Sequence, residues 1–440
     1  MKKSASLRFA LLIAIILVSS LSTLADDDTL RAGCARIDIT PTPPIGVWLS
    51  GYGHRNKPSD GICDPLYAKA LILDDGQTKV ALVSVDLLWV FLEMTTQVRN
   101  TINVKTGIPQ QNILICATHT HFGPKIDRPT KNWPDAADSK IDTKYVQKLQ
   151  DKLLEVILKA NNDLTPARLG TAAAEVPEVV YNRRTKKADG SVVMTFRLPR
   201  PEPGLTFGPV DSRLSILKIE DPMGKLLTTL VNFACHPVSG AKETETFYSI
   251  SADYPAYVAQ TVENVEGGLC LFALGTAGNM NPNRLNRTNP RTKIGRALGA
   301  ETLRQIQFTP TSGNLKLSAM TKSVTLPLKQ DLPADRVVDG NEKRTALTTE
   351  IQAVRIGETY ILGLPGEILV EIGMEIRKKT GLDNLFIISL ANDGCGYVCP
   401  RQAYKEGAYE PGQGTDLAEG AGEIITEQAI DLLGRIRQSG

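Results

Sequence analysis

The chain has 440 residues, of which 50 are lysine or arginine, 48 are aspartate or glutamate and 42% are hydrophobic. This composition excludes an intrinsically disordered chain, a collagen-like repeat and a coiled-coil rod. The near-neutral charge, without long runs of lysine and arginine, also argues against nucleic acid as a partner.

Residues 1–25 have the pattern of a secretory signal peptide. Basic residues precede an apolar run at 9–18, and Ala25 ends a small-residue cleavage site. The apolar run is much shorter than the roughly 20 residues that a membrane-spanning helix needs. We therefore expect an exported protein, secreted or periplasmic, that has no transmembrane span and carries residues 26–440 as one domain.

Short apolar segments alternate with helical patterns along the rest of the chain. We predict strands at 80–89 and 112–117, a hairpin of 212–220 with 225–233, and further strands at 268–274, 359–364 and 385–390. We predict helices at 143–160, 293–307, 366–379 and 421–437, the first from an apolar stripe of residues four positions apart that includes Leu149 and Leu153. The alternation is typical of an α/β fold, with a mixed β-sheet core flanked by helices. We expect a single large domain whose site lies at the carboxyl ends of strands.

Two long segments, 122–141 and 197–211, break this alternation. Long irregular loops often border a substrate site. They are equally consistent with simple insertions, so the sequence leaves both interpretations open.

Seven cysteines follow the predicted signal peptide. An oxidising compartment permits disulfides, and the odd number leaves at least one thiol unpaired. The spacing of Cys395 and Cys399 permits a local bridge, but a structural zinc site would need a second such pair.

Two of the four histidines, His119 and His121, directly follow the strand predicted at 112–117. Residues two apart in an extended segment face the same side, so both imidazoles can converge at the end of the strand. His236 follows another predicted strand. Because neutral imidazole is a common zinc ligand, these segments together predict a metal or catalytic site. The alternative is that each is an ordinary polar residue of a loop.

A catalytic zinc needs about three protein ligands and an open position. Glu367 lies between a predicted strand and a predicted helix and is one candidate ligand. It is equally well interpreted as an acid in a first helical turn, where it would favour the helix dipole. His54 lies among turn residues without a partner at metal-ligand spacing, and we interpret it as a surface or structural histidine.

Other hydrolase signatures are missing from the sequence. It contains no Gly-x-Ser-x-Gly elbow, no His-Glu-x-x-His helix and no Walker phosphate loop. A barrel amidohydrolase would need two further histidines at strand ends, and only His236 meets that requirement.

Taken in order, the motifs of the chain resemble the N-terminal catalytic domain of the neutral/alkaline non-lysosomal ceramidase family, and that domain only. They are spread over nearly all of residues 31–437. The motifs are Ala35-Arg-Ile-Asp-Ile-Thr40-Pro, Thr118-His-Thr-His121-x-Gly-Pro124, Asn182-Arg183, Asn232-Phe-Ala-x-His236, Gly278-Asn-x-Asn-Pro282-Asn, Pro365-Gly-Glu367, and Gly396-Tyr397 followed by Tyr409.

The resemblance implies a zinc-dependent hydrolase of an N-acyl amide that uses zinc-activated water, with ceramide as the leading substrate. It implies four zinc ligands, which are His119, His236, Glu367 and Tyr397. It also implies three residues around the scissile amide, which are His121, Arg183 and Tyr409. Among these, His121 is our candidate for the acid that protonates the departing amine. The expected partner is a small-molecule or lipid amide, with transient contact to a membrane surface.

The chain also departs from the family pattern. Asn279 and Asn281 stand where the family carries aspartate and serine, which disfavours a serine nucleophile. Phe122 replaces a serine, and Lys125 replaces a glycine. Because these changes surround the substrate, two alternatives stay open: a metal-dependent hydrolase of another ester or small amide, and a non-catalytic exported binding protein on the same fold. Arg183 is also consistent with a solvated turn.

Overall fold

Three β-sheets lie at the centre of the computed structural model. It describes residues 30–126, 141–196, 198, 204–242, 244–284, 288–330, 338–339 and 342–439. The predicted signal peptide, part of the predicted loop at 122–141 and part of that at 197–211 lie outside these ranges. Among the described residues, no helix is both long and apolar enough to cross a membrane.

The first sheet is formed by the N-terminal part of the chain. Its long strands are β1 (Arg31–Asp38), β2 (Tyr67–Asp74), β3 (Lys79–Val85) and β4 (Ile113–Ala117). They lie in the order β4-β3-β2-β1, with the short strand Thr165–Pro166 beside β1. Strands β3 and β4 run parallel, and helix α1 (Leu92–Thr106) lies between them in sequence. Strands β2, β3 and β4 are buried on both faces.

The second sheet contains the predicted hairpin. Its strands are β5 (Arg168–Glu175), β6 (Arg213–Glu220), β7 (Leu226–Phe233) and β8 (Leu269–Leu274). The hairpin of β6 with β7 closes at Gly224, which has a φ of +87° that suits glycine. Strands β7 and β8 run parallel, and helix α3 (Tyr254–Glu266) connects them.

The third sheet repeats this arrangement. Its strands are β9 (Leu317–Pro327), β10 (Ala346–Ile356), β11 (Thr359–Gly363) and β12 (Leu385–Ile388). Strands β11 and β12 run parallel, with helix α5 (Val370–Thr380) between them in sequence.

Four further helices complete the described helical elements. They are α2 (Thr143–Asn162), α4 (Pro290–Phe308), α6 (Arg401–Glu406) and α7 (Ala421–Gln438). Helix α2 packs on β1 and β2 through the predicted apolar stripe that includes Leu149 and Leu153, while α4 packs against α3 and α7 packs against β9 and β10.

Short strands and 3₁₀ turns complete the described elements. The strands are Gly61–Ile62, Val180–Asn182, Arg184–Lys186, Val192–Met194, Thr206–Phe207, Ser249–Ile250, Met280–Pro282, Val338–Asp339, Glu342–Lys343, Glu367–Ile368 and Tyr397–Val398. The turns are Gln110–Asn112, Pro177–Val179, Ser239–Lys242 and Thr244–Thr246.

The edge strands β4, β8 and β12 bring the three sheets together. Cys116 of β4 pairs with Ala391, just after β12, and Ser389 donates a backbone hydrogen bond to Leu274 of β8. Side chains from all three sheets share one apolar cluster. The carboxyl ends of the parallel strands therefore meet at one place, and the predicted α/β fold with a mixed β-sheet core is confirmed.

One local prediction needs correction, and one possibility that the sequence left open is resolved. Helix α5 begins at Val370, not at residue 366, because Glu367–Ile368 forms a short parallel strand with Tyr397–Val398. The local bridge considered for Cys395 and Cys399 is absent, since neither residue forms a disulfide. Cys399 is buried in a small cluster with Leu369, while Cys395 packs against a different cluster.

Candidate metal centre and active site

Two buried histidines are each held by a backbone carbonyl at the Nδ1 atom of the ring. His119 follows β4 and His236 follows β7, and each side chain is 1% exposed. The Nδ1 atom of His119 lies 2.8 Å from the Leu88 carbonyl oxygen, and that of His236 lies 2.5 Å from the Ala277 carbonyl oxygen. A carbonyl only accepts hydrogen bonds, so Nδ1 carries the proton in both rings. In its neutral form, each ring therefore presents the lone pair of Nε2 to the site.

The carboxylate of Glu367 faces both lone pairs. Its Oε2 atom lies 3.1 Å from Nε2 of His119 and 3.0 Å from Nε2 of His236. Burial alone would raise the pKa of Glu367, but attraction to the two histidines lowers it well below its ordinary value. Burial also lowers the pKa of His236 to about 4, which favours a neutral ring. Three acceptor atoms, Oε2 of Glu367 and the two Nε2 atoms, therefore approach one another, and this needs either a shared proton or a bound cation. A metal ion would take the place of that proton.

His121 completes a group of three imidazoles. Its Nε2 lies 3.4 Å from Nε2 of His119, and ligand atoms of His119, His121 and His236 all lie within 4.8 Å of one another. The imidazoles of His119 and His121 do not converge through the extended segment that we predicted, because the backbone at His119 is left-handed, with a φ of +68°. Burial lowers the pKa of His121 well below its ordinary value, so the ring is neutral at pH 7. Its buried Nδ1 has no hydrogen-bond partner among the described residues.

Tyr397 and Arg183 lie beside these histidines. The two-residue strands place Tyr397 directly opposite Glu367, and the Tyr397 ring stacks on His236 with centroids 6.5 Å apart. The Nη2 atom of Arg183 donates to the Tyr397 hydroxyl at 3.1 Å. Arg183 is only 4% exposed, so the solvated-turn interpretation is wrong.

Tyr409 lies at the outer side of this group. It is 38% exposed, and its ring centroid lies 5.6 Å from that of Tyr397 and 5.9 Å from that of Phe196. The Arg183 guanidinium lies over all three rings. Three aromatic rings therefore surround the buried guanidinium of Arg183, those of Phe196, Tyr397 and Tyr409.

A cavity of about 530 Å³ opens onto the site. The site residues that line it are His119, His121, Glu367, Tyr397 and Tyr409. Its apolar walls are Trp48, Leu49, Leu88, Trp89, Phe91, Ile126, Leu328, Leu347 and Leu417. Charged side chains also line it, which are Arg55, Lys125, Arg344 and Asp416.

The side chains present are suited to a metal ion. Three imidazole nitrogens and a carboxylate oxygen point toward one small volume, and a phenol adjoins it. Such a set of nitrogen and oxygen ligands suits zinc. All seven residues proposed from the sequence thus lie together, whereas His54 is exposed and stacks on Phe247 with centroids 5.4 Å apart.

The two asparagines that depart from the family pattern have structural partners. Asn279 accepts a hydrogen bond from the Val370 backbone at 2.9 Å and donates to the Glu371 carboxylate, so it holds the start of α5. Asn281 accepts from Nη1 of Arg183 at 3.3 Å. Asn281 therefore supports the arginine of the site.

Sequence reasoning missed two residues beside the site. Gly51 has a φ of +95°, and a Cβ atom there would lie 2.5 Å from three atoms of His121. The glycine-rich turn at 51–53 was the available signal. Glu410 is fully buried against Arg183, and no signal could reveal it, because the two residues are 227 positions apart.

The chain is similar to proteins of a known family. The family model for neutral/alkaline non-lysosomal ceramidase, N-terminal, matches residues 30–289, which is more than half of the chain. The neutral ceramidase of Pseudomonas aeruginosa is 26% identical over 282 residues, which cover 62% of this chain and 40% of that protein. Neutral ceramidase A of Dictyostelium discoideum is 24% identical over 274 residues, which cover 59% and 37%. The chain thus matches about two fifths of the length of these curated relatives.

The fold also matches a solved structure. The crystal structure of the neutral ceramidase from Pseudomonas aeruginosa superposes with a TM-score of 0.73 at 20% sequence identity, covering 93% of this chain and 75% of that one. At this identity the likeness establishes the shared fold. With the match of the family model, it shows that the chain belongs to the neutral/alkaline non-lysosomal ceramidase family.

Proposed function

We propose that the protein is an exported, zinc-dependent amidase that hydrolyses an N-acyl amide of the ceramide type. The observation that carries this proposal is the convergence of His119 and His236 on the Glu367 carboxylate at a largely apolar cavity. Membership of the family supports the reaction class. The names of the relatives support ceramide as the substrate.

Four side chains would hold the zinc ion in this proposal, and they are His119, His236, Glu367 and Tyr397. When bound, zinc supplies Lewis acidity, which polarises a carbonyl and lowers the pKa of water at the site. The carbonyl contacts of His119 and His236 fix both rings before the metal arrives.

His121 would transfer the proton. Its lowered pKa keeps the ring neutral at pH 7, so the ring can accept a proton from the water that attacks the amide. The same ring then gives that proton to the departing amine. Its Nδ1 is not fixed by a carbonyl as in the other two rings, which suits a role in proton transfer rather than in ligation.

Tyr409 lines the cavity and would contact the substrate, and the buried Arg183 would act from just behind Tyr397. Burial alone would lower the pKa of Arg183, but attraction to Tyr397 and Glu410 raises it above its ordinary value, so the charge is permanent. A fixed buried cation stabilises the negative charge that develops on the amide oxygen. Tyr409, which is partly exposed and lines the cavity, would supply its hydroxyl as a further donor.

Acyl-chain length should control the efficiency of hydrolysis. Burial of each methylene against the tryptophan and leucine walls contributes about 0.8 kcal/mol, so we expect kcat/KM to rise about fourfold per CH₂ until the cavity is filled. The measurement is the hydrolysis of a series of N-acyl amides from C2 to C18 by the purified protein. An efficiency that does not depend on chain length would overturn the lipid assignment and favour a small amide or an ester.

Export is proposed from the N-terminal sequence. If residues 1–25 are removed by a signal peptidase, the secreted protein begins at Asp26. N-terminal sequencing of the protein recovered outside the cytoplasm measures this directly. A protein that remains in the cytoplasm and retains Met1 would contradict export. Transient contact with a membrane surface, where a lipid amide would be found, belongs to the same proposal.

A further inference from the structure

The carboxylate of Glu410 is buried between two arginines. Its side chain is 0% exposed, with Oε1 accepting from Nε of Arg183 at 2.8 Å and Oε2 accepting from Nη1 of Arg184 at 2.7 Å. A buried carboxylate is costly unless it is paired and hydrogen-bonded. Two charge-assisted hydrogen bonds meet that requirement here.

Adjacent arginines can reach one carboxylate because the strand is interrupted between them. In a regular strand, neighbouring side chains point to opposite faces. Arg183 lies at a bend between the short strands Val180–Asn182 and Arg184–Lys186. The bend allows both guanidinium groups to contact Glu410.

Three contacts fix the Arg183 guanidinium. Glu410 accepts from Nε, Asn281 accepts from Nη1 at 3.3 Å, and the Tyr397 hydroxyl accepts from Nη2 at 3.1 Å. Among the described residues, Glu410 is the only carboxylate that pairs with Arg183, whereas Arg184 also pairs with Glu406. The orientation of Arg183 toward Tyr397 therefore depends mainly on Glu410.

We propose that Glu410 is a positioning residue, which holds the Arg183 guanidinium in the orientation that the reaction needs. This inference rests on the proposed function. Glu410 also directly follows Tyr409, so the same contact ties the segment that carries Tyr409 to the arginine. Glu410 acts through Arg183 and contacts none of the histidines of the site.

The test compares Glu410→Gln with Glu406→Gln. The first variant keeps the size of the side chain but removes the negative charge that pairs with Arg183. We therefore expect kcat to fall about 10-fold or more, with KM and zinc content nearly unchanged. The second removes the carboxylate charge that pairs with Arg184 and Lys186 and leaves the partners of Arg183 in place, so it should keep kcat within about twofold. Equal kcat in wild type and Glu410→Gln would overturn the inference.

A double-mutant cycle separates positioning from a general structural role. If Glu410 acts through Arg183, the double variant Arg183→Gln/Glu410→Gln has the same kcat as Arg183→Gln alone. Losses that multiply would overturn the inference. If Glu410→Gln fails to fold, Glu410→Asp keeps the charge, and a kcat lowered by its shorter side chain is the expected result. An unchanged kcat in that variant would count against positioning.

A crystal structure of Glu410→Gln provides a readout that does not depend on activity. We expect the bond from Arg183 Nη2 to the Tyr397 hydroxyl to be lost. A guanidinium that stays in place would overturn the inference. If the wild type hydrolyses no amide while the variant still displaces Arg183, the proposed function fails and the structural part of the inference stands.

Discussion

The double variant His119→Ala/His236→Ala is expected to lose its zinc and to hydrolyse amides at least about 10³-fold less efficiently, a loss of about 4 kcal/mol. Both rings present Nε2 to the Glu367 carboxylate, so their removal leaves no pair of fixed nitrogen ligands. Elemental mass spectrometry of the purified protein measures the metal, and a coupled assay of the released amine measures the activity. We expect about one zinc per chain in the wild type and almost none in the variant.

His54→Ala is the matched control for this experiment. It also removes an imidazole, but His54 is exposed and its ring packs on Phe247 and Tyr52 rather than on a proposed metal ligand. Its zinc content and activity should equal those of the wild type. Zinc that stays bound in the double variant would contradict the assignment of both ligands.

Gly51→Ala is expected to lower kcat about 10²-fold while zinc remains bound, because it displaces the proton-transferring imidazole. A Cβ atom at this position would lie 2.5 Å from Cβ, Cγ and Nδ1 of His121, which is closer than real Cβ contacts. The ring must then move away from its place beside His119. Steady-state kinetics together with zinc analysis distinguishes this displacement from the loss of the metal.

Gly46→Ala provides the control for backbone strain. Gly46 has a φ of +88°, close to the +95° of Gly51, but nothing lies within 4 Å of a Cβ atom there. Both variants should lose about 1 kcal/mol of unfolding free energy to backbone strain, because a left-handed conformation disfavours alanine, and Gly51→Ala should lose more through its contact with His121. Only Gly51→Ala should lose activity. Equal kcat values for the two variants would mean that the contact with His121 does not matter.

The sequence revealed the apolar elements of the fold better than the polar ones. The stripe that includes Leu149 and Leu153 predicted α2 almost to its bounds. Helix α1 was missed because its inner face includes Arg99 and Thr95, which are buried through hydrogen bonds to backbone carbonyls rather than by apolar packing. Strands β9 and β10 were missed because many of their side chains are only partly buried.

The residues of the candidate site also differed in how far they could be predicted from the sequence. His119, His121 and His236 could be proposed from their positions after strands, although the left-handed backbone at His119 could not. The burial of Arg183 could not be predicted, because its local sequence is that of a polar turn and its partner Glu410 is distant in the chain. Contacts over such separations depend on how the three sheets meet.

The central claim is tested most directly by incubating the zinc-loaded protein with N-dodecanoylsphingosine in detergent micelles and quantifying both products by mass spectrometry. The account predicts that dodecanoate and the free amine appear in equal amounts, linearly with time, and that neither is formed by His119→Ala/His236→Ala. Tight binding of the amide without release of either product by fully zinc-loaded wild-type protein would contradict it, and would favour an exported binding protein on the same fold.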